Sequence, residues 1–171
     1  MSGYKQETVS IPIETKVREF DGKLWLGLNA IERGYNIVFG PAGEIRRVLD
    51  ITKPDIHITK DPRDGKIEFF KQLDAAGITI CGLDTEGAVF HSLEQFTTNK
   101  TDFLNHIDAF CAWGEKPANA VRQYYPNTDQ IHVTGNPRFD LLHPHLRFIY
   151  QHRASSLNDE YGQYILLNGN F

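Results

Sequence analysis

Two carboxylates, Asp84 and Glu86, follow a short apolar run and lie between Gly82 and Gly87. If the apolar run is a strand of a parallel sheet, both carboxylates stand at its carboxyl end, where such sheets bind their ligands. A carboxylate that is fixed beside a ligand and partly removed from water can take or give a proton. We therefore predict an acid or base catalyst here, with Glu86 as the candidate for a base and Asp84 as its competitor or orienting partner. The alternative is an Asx turn at Asp84 with an exposed Glu86.

A second group of charged residues follows the first apolar run of the chain. Lys16 and Arg18 are suited to an anionic sugar or a phosphate, and Glu14 can orient a hydroxyl group. The alternative is a solvated helix start, in which Glu19 and Asp21 favour the positive end of the helix dipole. Both interpretations stay open for the first three residues, whereas for Glu19 and Asp21 we favour the solvated helix start.

Glycines follow two further apolar runs. The backbone at Gly40 can approach a substrate, although a plain turn is the simpler interpretation. Gly135 and Asn136 precede a predicted helix, whose free amides can hold an anion, and Arg138 adds a planar donor for a phosphate or carboxylate. Helix entry, with Pro137 in the first turn, is an equally weighted alternative for Asn136 and Arg138.

Strand-like and helix-like segments alternate along the chain. Strands are predicted at residues 8–13, 35–39, 55–59, 78–81, 109–113, 130–134 and 164–167. Helices are predicted at residues 19–33, 43–50, 64–76, 115–124 and 137–153. Pro12 indicates an edge position or a bulge for the first strand. The alternation predicts an α/β, Rossmann-like, three-layer domain with a mainly parallel sheet.

We predict that this domain spans residues 1–153. Residues 154–163 are polar and typical of a linker, and the strand predicted after them has no helix behind it. We interpret residues 154–171 as a linker and the first strand of a second domain that the chain lacks. A last strand of the same sheet is the alternative.

Composition excludes several functional classes. The 171 residues carry 18 Lys and Arg against 22 Asp and Glu, a net charge of −4, and contain no basic tract, which argues against nucleic-acid binding. No apolar run approaches the roughly 20 residues that span a bilayer. The first ten residues lack the apolar core of a secretory signal, so we expect a cytoplasmic protein.

Cysteine and histidine give weak signals. Cys81 and Cys111 each lie in an apolar run, and we interpret them as buried reduced thiols, with a disulfide as the alternative. His143 and His145 are two residues apart in a predicted helix, where side chains at that spacing diverge. We therefore interpret them as facing solvent and predict no metal site.

The segment from Trp113 to Asp140 resembles the end of the N-terminal domain of GT-B glycosyltransferases. It runs strand, Trp-Gly, helix, Tyr-Pro, strand, and then Val-Thr-Gly-Asn-Pro-Arg-Phe-Asp at residues 133–140. The Thr-Gly-Asn-x-x-x-Asp pattern is similar to that of Kdo transferases and UDP-GlcNAc 2-epimerases, and a Thr-Gly-x-Pro-Arg version occurs in CDP-glycerol glycerophosphotransferases. Residues 11–21 and 84–87 resemble bacterial proteins of surface-carbohydrate biosynthesis that share this architecture.

The resemblance implies two Rossmann-like domains that face each other across a cleft. The first domain, which this chain would supply, binds the acceptor, and the second holds most of the site for the activated donor. The implied reaction transfers a sugar from a nucleotide donor to a surface-polysaccharide or lipid-linked acceptor. Glu86 would act as the base, and Lys16 and Arg18 would position an acidic acceptor sugar. No metal or other cofactor is expected, because helix dipoles and basic side chains can stabilise the leaving phosphates.

The partners implied by the resemblance are a nucleotide-sugar donor, bound mostly by the second domain, and a glycan or lipid-linked acceptor. A lipid-linked acceptor implies peripheral association with the inner face of the membrane. The chain alone is expected to have little transferase activity. Two alternatives stay open: a UDP-GlcNAc 2-epimerase-like enzyme, in which the same carboxylates move a proton at carbon 2, and a non-catalytic module that docks a partner.

Overall fold

Six of the apolar runs form strands, and the amphipathic stretches between them form helices. The computed structural model describes residues 6–60, 66–84, 103–124 and 129–167. Its strands are β1 (Thr8–Ile13), β2 (Asn36–Pro41), β3 (Ile56–Lys60), β4 (Thr79–Leu83), β5 (Ala109–Ala112) and β6 (Ile131–Val133). Its helices are α1 (Lys16–Glu32), α2 (Ala42–Thr52), α3 (Ile67–Ala75), α4 (Glu115–Tyr124), α5 (Pro137–Asp140) and α6 (Phe148–Tyr161), with 3₁₀ turns at Phe103–His106 and Pro144–Leu146.

The strands form one parallel sheet in the order β2-β1-β3-β4-β5-β6. On one face, Ile11 and Ile58 belong to an apolar cluster that includes Leu26 of α1. On the other face, Phe110 belongs to a cluster with Phe70 of α3, and that cluster also includes buried residues of α2 and α4. Helices therefore cover both faces, which confirms the predicted α/β, three-layer, Rossmann-like domain.

The strand order reverses between β1 and β3, because the chain runs outward from β1 to β2 and in the opposite direction from β3 to β4. Pairing between these two central strands is short and joins Val9 to Ile56 and Ser10 to His57. Beyond Ser10 the two strands no longer pair, which leaves a gap at the carboxyl edge of the sheet. Parallel sheets bind ligands in the crevice at such a switch point.

The edge position or bulge predicted from Pro12 is wrong, because β1 lies between β2 and β3. Pro12 pairs with Gly40 of β2, in register with the rest of that ladder. Pairing with β3 has already ended at Ser10, so the missing N–H of Pro12 removes no bond on that side. The short β1–β3 ladder thus allows a proline inside the sheet.

The region after β6 differs most from the sequence prediction. Residues 154–161, predicted as part of a linker, form the second half of α6, whose residues are all exposed. An exposed polar helix has no apolar stripe, so its sequence is hard to distinguish from that of a linker. Residues 164–167 are exposed and form no strand, and within the described chain no strand pairs with them. The assignment of residues 154–171 to a second domain stays a prediction.

Among the described residues, none of the helices combines the length and the apolarity that crossing a bilayer demands.

Cys81 and Cys111 are free thiols, and their Sγ atoms lie 3.6 Å apart on β4 and β5. Both are half-buried rather than buried, and the alternative of a disulfide between them is not formed.

Helix α1 packs against α5 through a glycine contact. A Cβ atom built at Gly22 would lie 2.7 Å from Cγ, 3.1 Å from the backbone nitrogen and 3.3 Å from Cα of Arg138. Two of these three atoms belong to the backbone and cannot move independently. We expect Gly22→Ala to lower the free energy of unfolding by roughly 1–3 kcal/mol, as overpacking usually does. Urea denaturation measures this change.

Gly43→Ala is the matched control, because a Cβ atom at Gly43 of α2 meets nothing within 4 Å. Its free energy of unfolding should stay within about 0.5 kcal/mol of the parent or rise slightly. Equal stability of the Gly22→Ala variant and the control would contradict the close α1–α5 contact.

Candidate functional site

A buried carboxylate organises the start of α1. Glu19 is 4% exposed, and its side chain accepts the backbone N–H groups of Glu14 at 3.1 Å and Thr15 at 3.2 Å. The same carboxylate contacts Lys23 at 2.9 Å and Lys60 at 3.1 Å. Helix α1 therefore begins at residue 16, earlier than predicted. The predicted solvated helix start is wrong for Glu19, because its carboxylate is buried and binds backbone N–H groups and two lysines.

Burial alone would raise the pKa of Glu19, but the hydrogen bond from Lys23 and then the N–H of Glu14 outweigh it. Together with the charge of Lys23 and the bond from Lys60, they lower the pKa of Glu19 to about 2. Burial lowers the pKa of Lys23, and its hydrogen bond with Glu19 opposes that change. Glu19 is therefore ionised at neutral pH.

The charged residues continue as a chain across the carboxyl edge of the sheet. Lys60 ends β3 and lies 3.6 Å from Glu14, and Lys66 lies 2.5 Å from the same carboxylate. We call Glu14, Glu19, Lys23, Lys60 and Lys66 the ion network. Lys23 also donates to the carbonyl of Pro12 at 2.6 Å, so the network ties α1 to the ends of β1 and β3.

A small cavity of about 30 Å³ lies between α1 and the loop that follows β6, and we call it the α1-side cavity. It brings together three residues that the sequence placed in a binding site, Arg18, Asn136 and Arg138. The other lining residues are Glu19, Gly22, Lys23, Lys60, Leu83 and Pro137. A space of this size accommodates a water-sized group, such as one hydroxyl of a larger ligand.

A larger cavity of about 290 Å³ lies outside the carboxyl ends of β1 and β3, and we call it the switch-point pocket. It is lined by Pro12, Glu14, Ala42, Gly43, Arg46, His57, Thr59, Lys60, Lys66, Glu68 and Phe69. Its volume is close to the lower end of the usual range for small-molecule sites, about 300–1,000 Å³. Lys60 lines both cavities and therefore joins them.

A buried histidine lines the switch-point pocket. His57 is 4% exposed, and its Nδ1 lies 2.8 Å from the hydroxyl of the fully buried Ser10. Burial, followed by the charges of Lys66 and Lys23, lowers the pKa of His57 to about 4, so its ring is neutral at pH 7. Phe69 packs edge-on against this ring, with the centroids 5.6 Å apart.

Asp84 joins three loops at the carboxyl edge through its main chain. Its carbonyl accepts the indole N–H of Trp113 and the side-chain N–H of Asn136, the latter at 3.0 Å. The side-chain oxygen of Asn136 accepts the backbone N–H of Arg138 at 3.0 Å and caps α5. Gly135 has a φ of +77°, which favours glycine and allows the sharp turn before this cap.

Some of the predicted binding residues line one of the two cavities, and others do not. Arg18, Asn136 and Arg138 line the α1-side cavity beside the Gly135 turn, and Glu14 lines the switch-point pocket. Lys16 is exposed and lies over the Phe20 ring, 5.8 Å from its centroid, and is a residue of neither cavity. Gly40 is paired within β2 rather than in a turn, because the strand extends to Pro41.

Of the two predicted catalytic carboxylates, Asp84 lies within the described residues and Glu86 does not. Asp84 follows the central strand β4, as predicted, but its residue is 1% exposed. Glu86 lies outside the described residues, so its role as a base stays a prediction.

Sequence reasoning missed the lysines of the ion network and His57. Glu19 and Lys23 have the spacing of an ion pair across one helical turn, which could have signalled their contact. His57 interrupts the apolar run of β3 with a polar side chain, which is a weak signal of a buried polar contact. Only the fold brings Lys60 and Lys66 to Glu14.

His143 and His145 are exposed, but the prediction that their side chains diverge is wrong, because their Nδ1 atoms lie 2.5 Å apart. The predicted continuous helix is interrupted here: His143 has an extended backbone and precedes the 3₁₀ turn at Pro144–Leu146. In the part of the chain that the structure describes, His, Cys, Asp and Glu side chains form no group of three or more that could hold a metal ion.

No protein-family model matches the sequence, and no curated protein matches it either.

We expect Glu19→Gln to destabilise the protein by roughly 3–5 kcal/mol, because it leaves two buried lysines without their shared carboxylate. Glu44→Gln is the matched control. Glu44 also lies in the first turn of a helix and contacts an arginine, Arg47 at 2.7 Å, but that pair is exposed. The control should lose less than about 1 kcal/mol.

The pH dependence checks the same interaction. The folded pKa of Glu19 is depressed from 4.5 to about 2, so its contribution to stability is complete above pH 4.5 and is lost as the pH falls toward 2. Denaturation curves between pH 2 and pH 7 should therefore be less pH-dependent for Glu19→Gln than for the parent. Parallel curves for the two proteins would contradict an ionised, buried Glu19.

Proposed function

We propose that this chain is the acceptor-binding domain of a GT-B-type glycosyltransferase. The proposed reaction transfers a sugar from a nucleotide donor to a surface-polysaccharide or lipid-linked acceptor at the cytoplasmic face of the membrane. One observation carries the proposal: Arg18, Asn136 and Arg138 line one cavity at the carboxyl edge of the sheet, and Lys60 connects it to the pocket that contains Glu14.

The types of these side chains support an acidic sugar as the acceptor. Guanidinium groups bind carboxylates through paired hydrogen bonds, and the amide of an asparagine or the carboxylate of a glutamate orients hydroxyl groups. The ion network holds Glu14 between two lysines, which fixes its position beside the switch-point pocket. Fixed polar groups at the edge of the pocket lower the entropic cost of orienting a flexible acceptor.

An inverting transfer needs a base that removes the proton of the acceptor hydroxyl while the new glycosidic bond forms. In the proposal Glu86 is this base. Glu86 comes two residues after Asp84 in the sequence, and the carbonyl of Asp84 accepts two hydrogen bonds at the carboxyl edge of the sheet. The burial of Asp84 favours an orienting role over direct contact with the acceptor.

The donor belongs to a second domain in this proposal. Its leaving phosphates would be stabilised by helix dipoles and basic side chains rather than by a metal. The chain alone should therefore bind an acceptor without turning it over efficiently.

Acceptor binding by the chain itself can be measured by calorimetric titration with an oligosaccharide that carries a carboxylate. We expect Arg18→Gln to weaken binding by roughly 10-fold to 100-fold, the usual effect of losing one charge-assisted hydrogen bond. Lys16→Gln removes the same charge from an exposed neighbour outside both cavities and should change the affinity less than about twofold. Equal losses would contradict Arg18 and the α1-side cavity as part of the acceptor site.

In this proposal turnover requires a longer protein, in which a donor-binding domain accompanies this chain, assayed with a panel of nucleotide sugars. Product formed only when acceptor is present supports a transferase, whereas inversion at a sugar carbon without acceptor identifies an epimerase. Tight complex formation with neither reaction identifies a binding module. The last two outcomes overturn the proposed function.

In that longer protein, we expect Glu86→Gln to reduce turnover by roughly 10²–10⁴-fold, because the amide keeps the shape of the side chain and cannot take a proton. The KM for the acceptor should change much less. Glu115→Gln, at an exposed position in the first turn of α4, is the control and should leave turnover unchanged. Full turnover by Glu86→Gln would assign the base to another carboxylate.

A further inference from the structure

The helix N-termini at the carboxyl edge differ in whether their amides are already occupied. At α1, the carboxylate of Glu19 accepts the N–H groups of Glu14 and Thr15 and takes the place of an anion. Helix α2 has 11 residues, and its N-cap residue, Pro41, supplies no side-chain hydrogen bond. The first residues of α2, Ala42 and Gly43, line the switch-point pocket. The amides of this turn have no partners within the helix and can bind an anion.

Positive side chains surround the same space. Arg46, Lys60 and Lys66 line the switch-point pocket, together with the two carboxylates Glu14 and Glu68. Glu14 is already in contact with both lysines. Arg46 belongs to α2, the helix whose first turn lines the pocket. Its guanidinium carbon lies over the ring of Phe69, 4.5 Å from the centroid.

His57 provides a second and independent indication of a ligand. It is buried and lines the pocket, and its Nδ1 contacts Ser10. Within the described residues its Nε2 has no hydrogen-bond partner. The hydroxyl of Ser10 lies 2.8 Å from Nδ1 and 3.3 Å from the carbonyl of Ile56, so its single proton can be donated to only one of these two acceptors. When the hydroxyl donates to Nδ1, the ring proton is on Nε2 and can be donated to an anion.

We propose that the switch-point pocket binds a phosphate group, held by the first-turn amides of α2, the guanidinium of Arg46 and the Nε2–H of His57. The inference deepens the proposed function and depends on it for its biological meaning, since the phosphate would belong to the acceptor. Both a sugar phosphate and the headgroup of a phosphate-bearing lipid carry this group. The carboxylates of Glu14 and Glu68 help to select a ligand that also has hydroxyl groups.

Titration of this chain with inorganic phosphate, followed by NMR, tests the proposal without requiring turnover. We expect saturable shifts of the amides of Gly43 and Glu44, together with a ring ¹⁵N spectrum of His57 that has its proton on Nε2. Shifts that are absent, non-saturable or confined to other residues overturn the proposal. So does a His57 ring that keeps its proton on Nδ1 at saturating phosphate.

Arg46 and Arg47 are adjacent on α2 and form a matched pair. Arg46→Gln should weaken phosphate binding by about tenfold or more, because a charge-assisted hydrogen bond is lost. Arg46→Lys keeps the charge and should retain part of the affinity. Arg47→Gln should change it less than about twofold, because Arg47 contacts Glu44 and is exposed outside the pocket. Equal effects of Arg46→Gln and Arg47→Gln overturn the proposal.

Two further ligands identify the source of the phosphate. Tighter binding of glucose 1-phosphate than of inorganic phosphate supports a sugar phosphate, and saturable binding to phosphatidylglycerol vesicles that inorganic phosphate inhibits supports a lipid headgroup. Phosphate binding in a protein that transfers no sugar would sustain this inference and overturn the proposed function. Sugar transfer in a protein that shows no phosphate shifts would do the reverse.

Discussion

The carboxylate of Glu19 is the interaction on which the carboxyl edge of this domain depends. It is ionised and almost completely buried, in contact with two lysines and two backbone N–H groups. Removing a charge from water is costly unless the charge is paired and hydrogen-bonded. Here the carboxylate of Glu19 accepts the N–H groups at the start of α1 and is also the shared counter-charge of Lys23 and Lys60. The start of α1 and the end of β3 are therefore fixed with respect to each other.

The short β1–β3 ladder explains why such a network is needed at this place. These strands pair at only two positions, and beyond Ser10 the backbone does not hold them together. Lys23 binds the carbonyl of Pro12 at the end of β1, and Lys60 at the end of β3 shares Glu19 with it. Side chains thus replace main-chain hydrogen bonds where the sheet opens. The same opening creates the switch-point pocket. The ion network therefore holds the ends of β1 and β3 in place and also forms part of the pocket wall.

The sequence predicts the parallel α/β fold well, because each strand is an apolar run and most of the stretches between strands have a helical period. The sequence predicts less where the conformation of a segment depends on residues that are distant along the chain. Pro12 indicates an edge strand, but whether a missing N–H is tolerated depends on where the neighbouring ladder ends. The run at residues 164–167 is apolar, but an apolar run becomes a strand only beside another strand, and its neighbours cannot be read from the chain. The site follows the same division. Asn136 and Arg138 could be predicted because a glycine turn precedes them, whereas the contact of Lys60 and Lys66 with Glu14 joins residues 46 and 52 positions apart.

The main chain of Asp84 connects the carboxyl ends of three neighbouring strands, β4, β5 and β6. Its carbonyl receives two N–H donors, from Trp113 after β5 and from Asn136 after β6, while the amide of Asp84 donates to the carbonyl of Cys111 in β5. Three neighbouring loops are therefore held by contacts to one residue. Contacts that are already formed in the folded protein do not have to be ordered again at the cost of conformational entropy. Because Asn136 also caps α5, and Arg138 of α5 packs against Gly22 of α1, the fixed region extends to the wall of the α1-side cavity. The α1-side cavity is therefore lined both by Asn136, which holds the carbonyl of Asp84, and by Glu19, Lys23 and Lys60 of the ion network, so the two sets of fixed contacts meet at one wall.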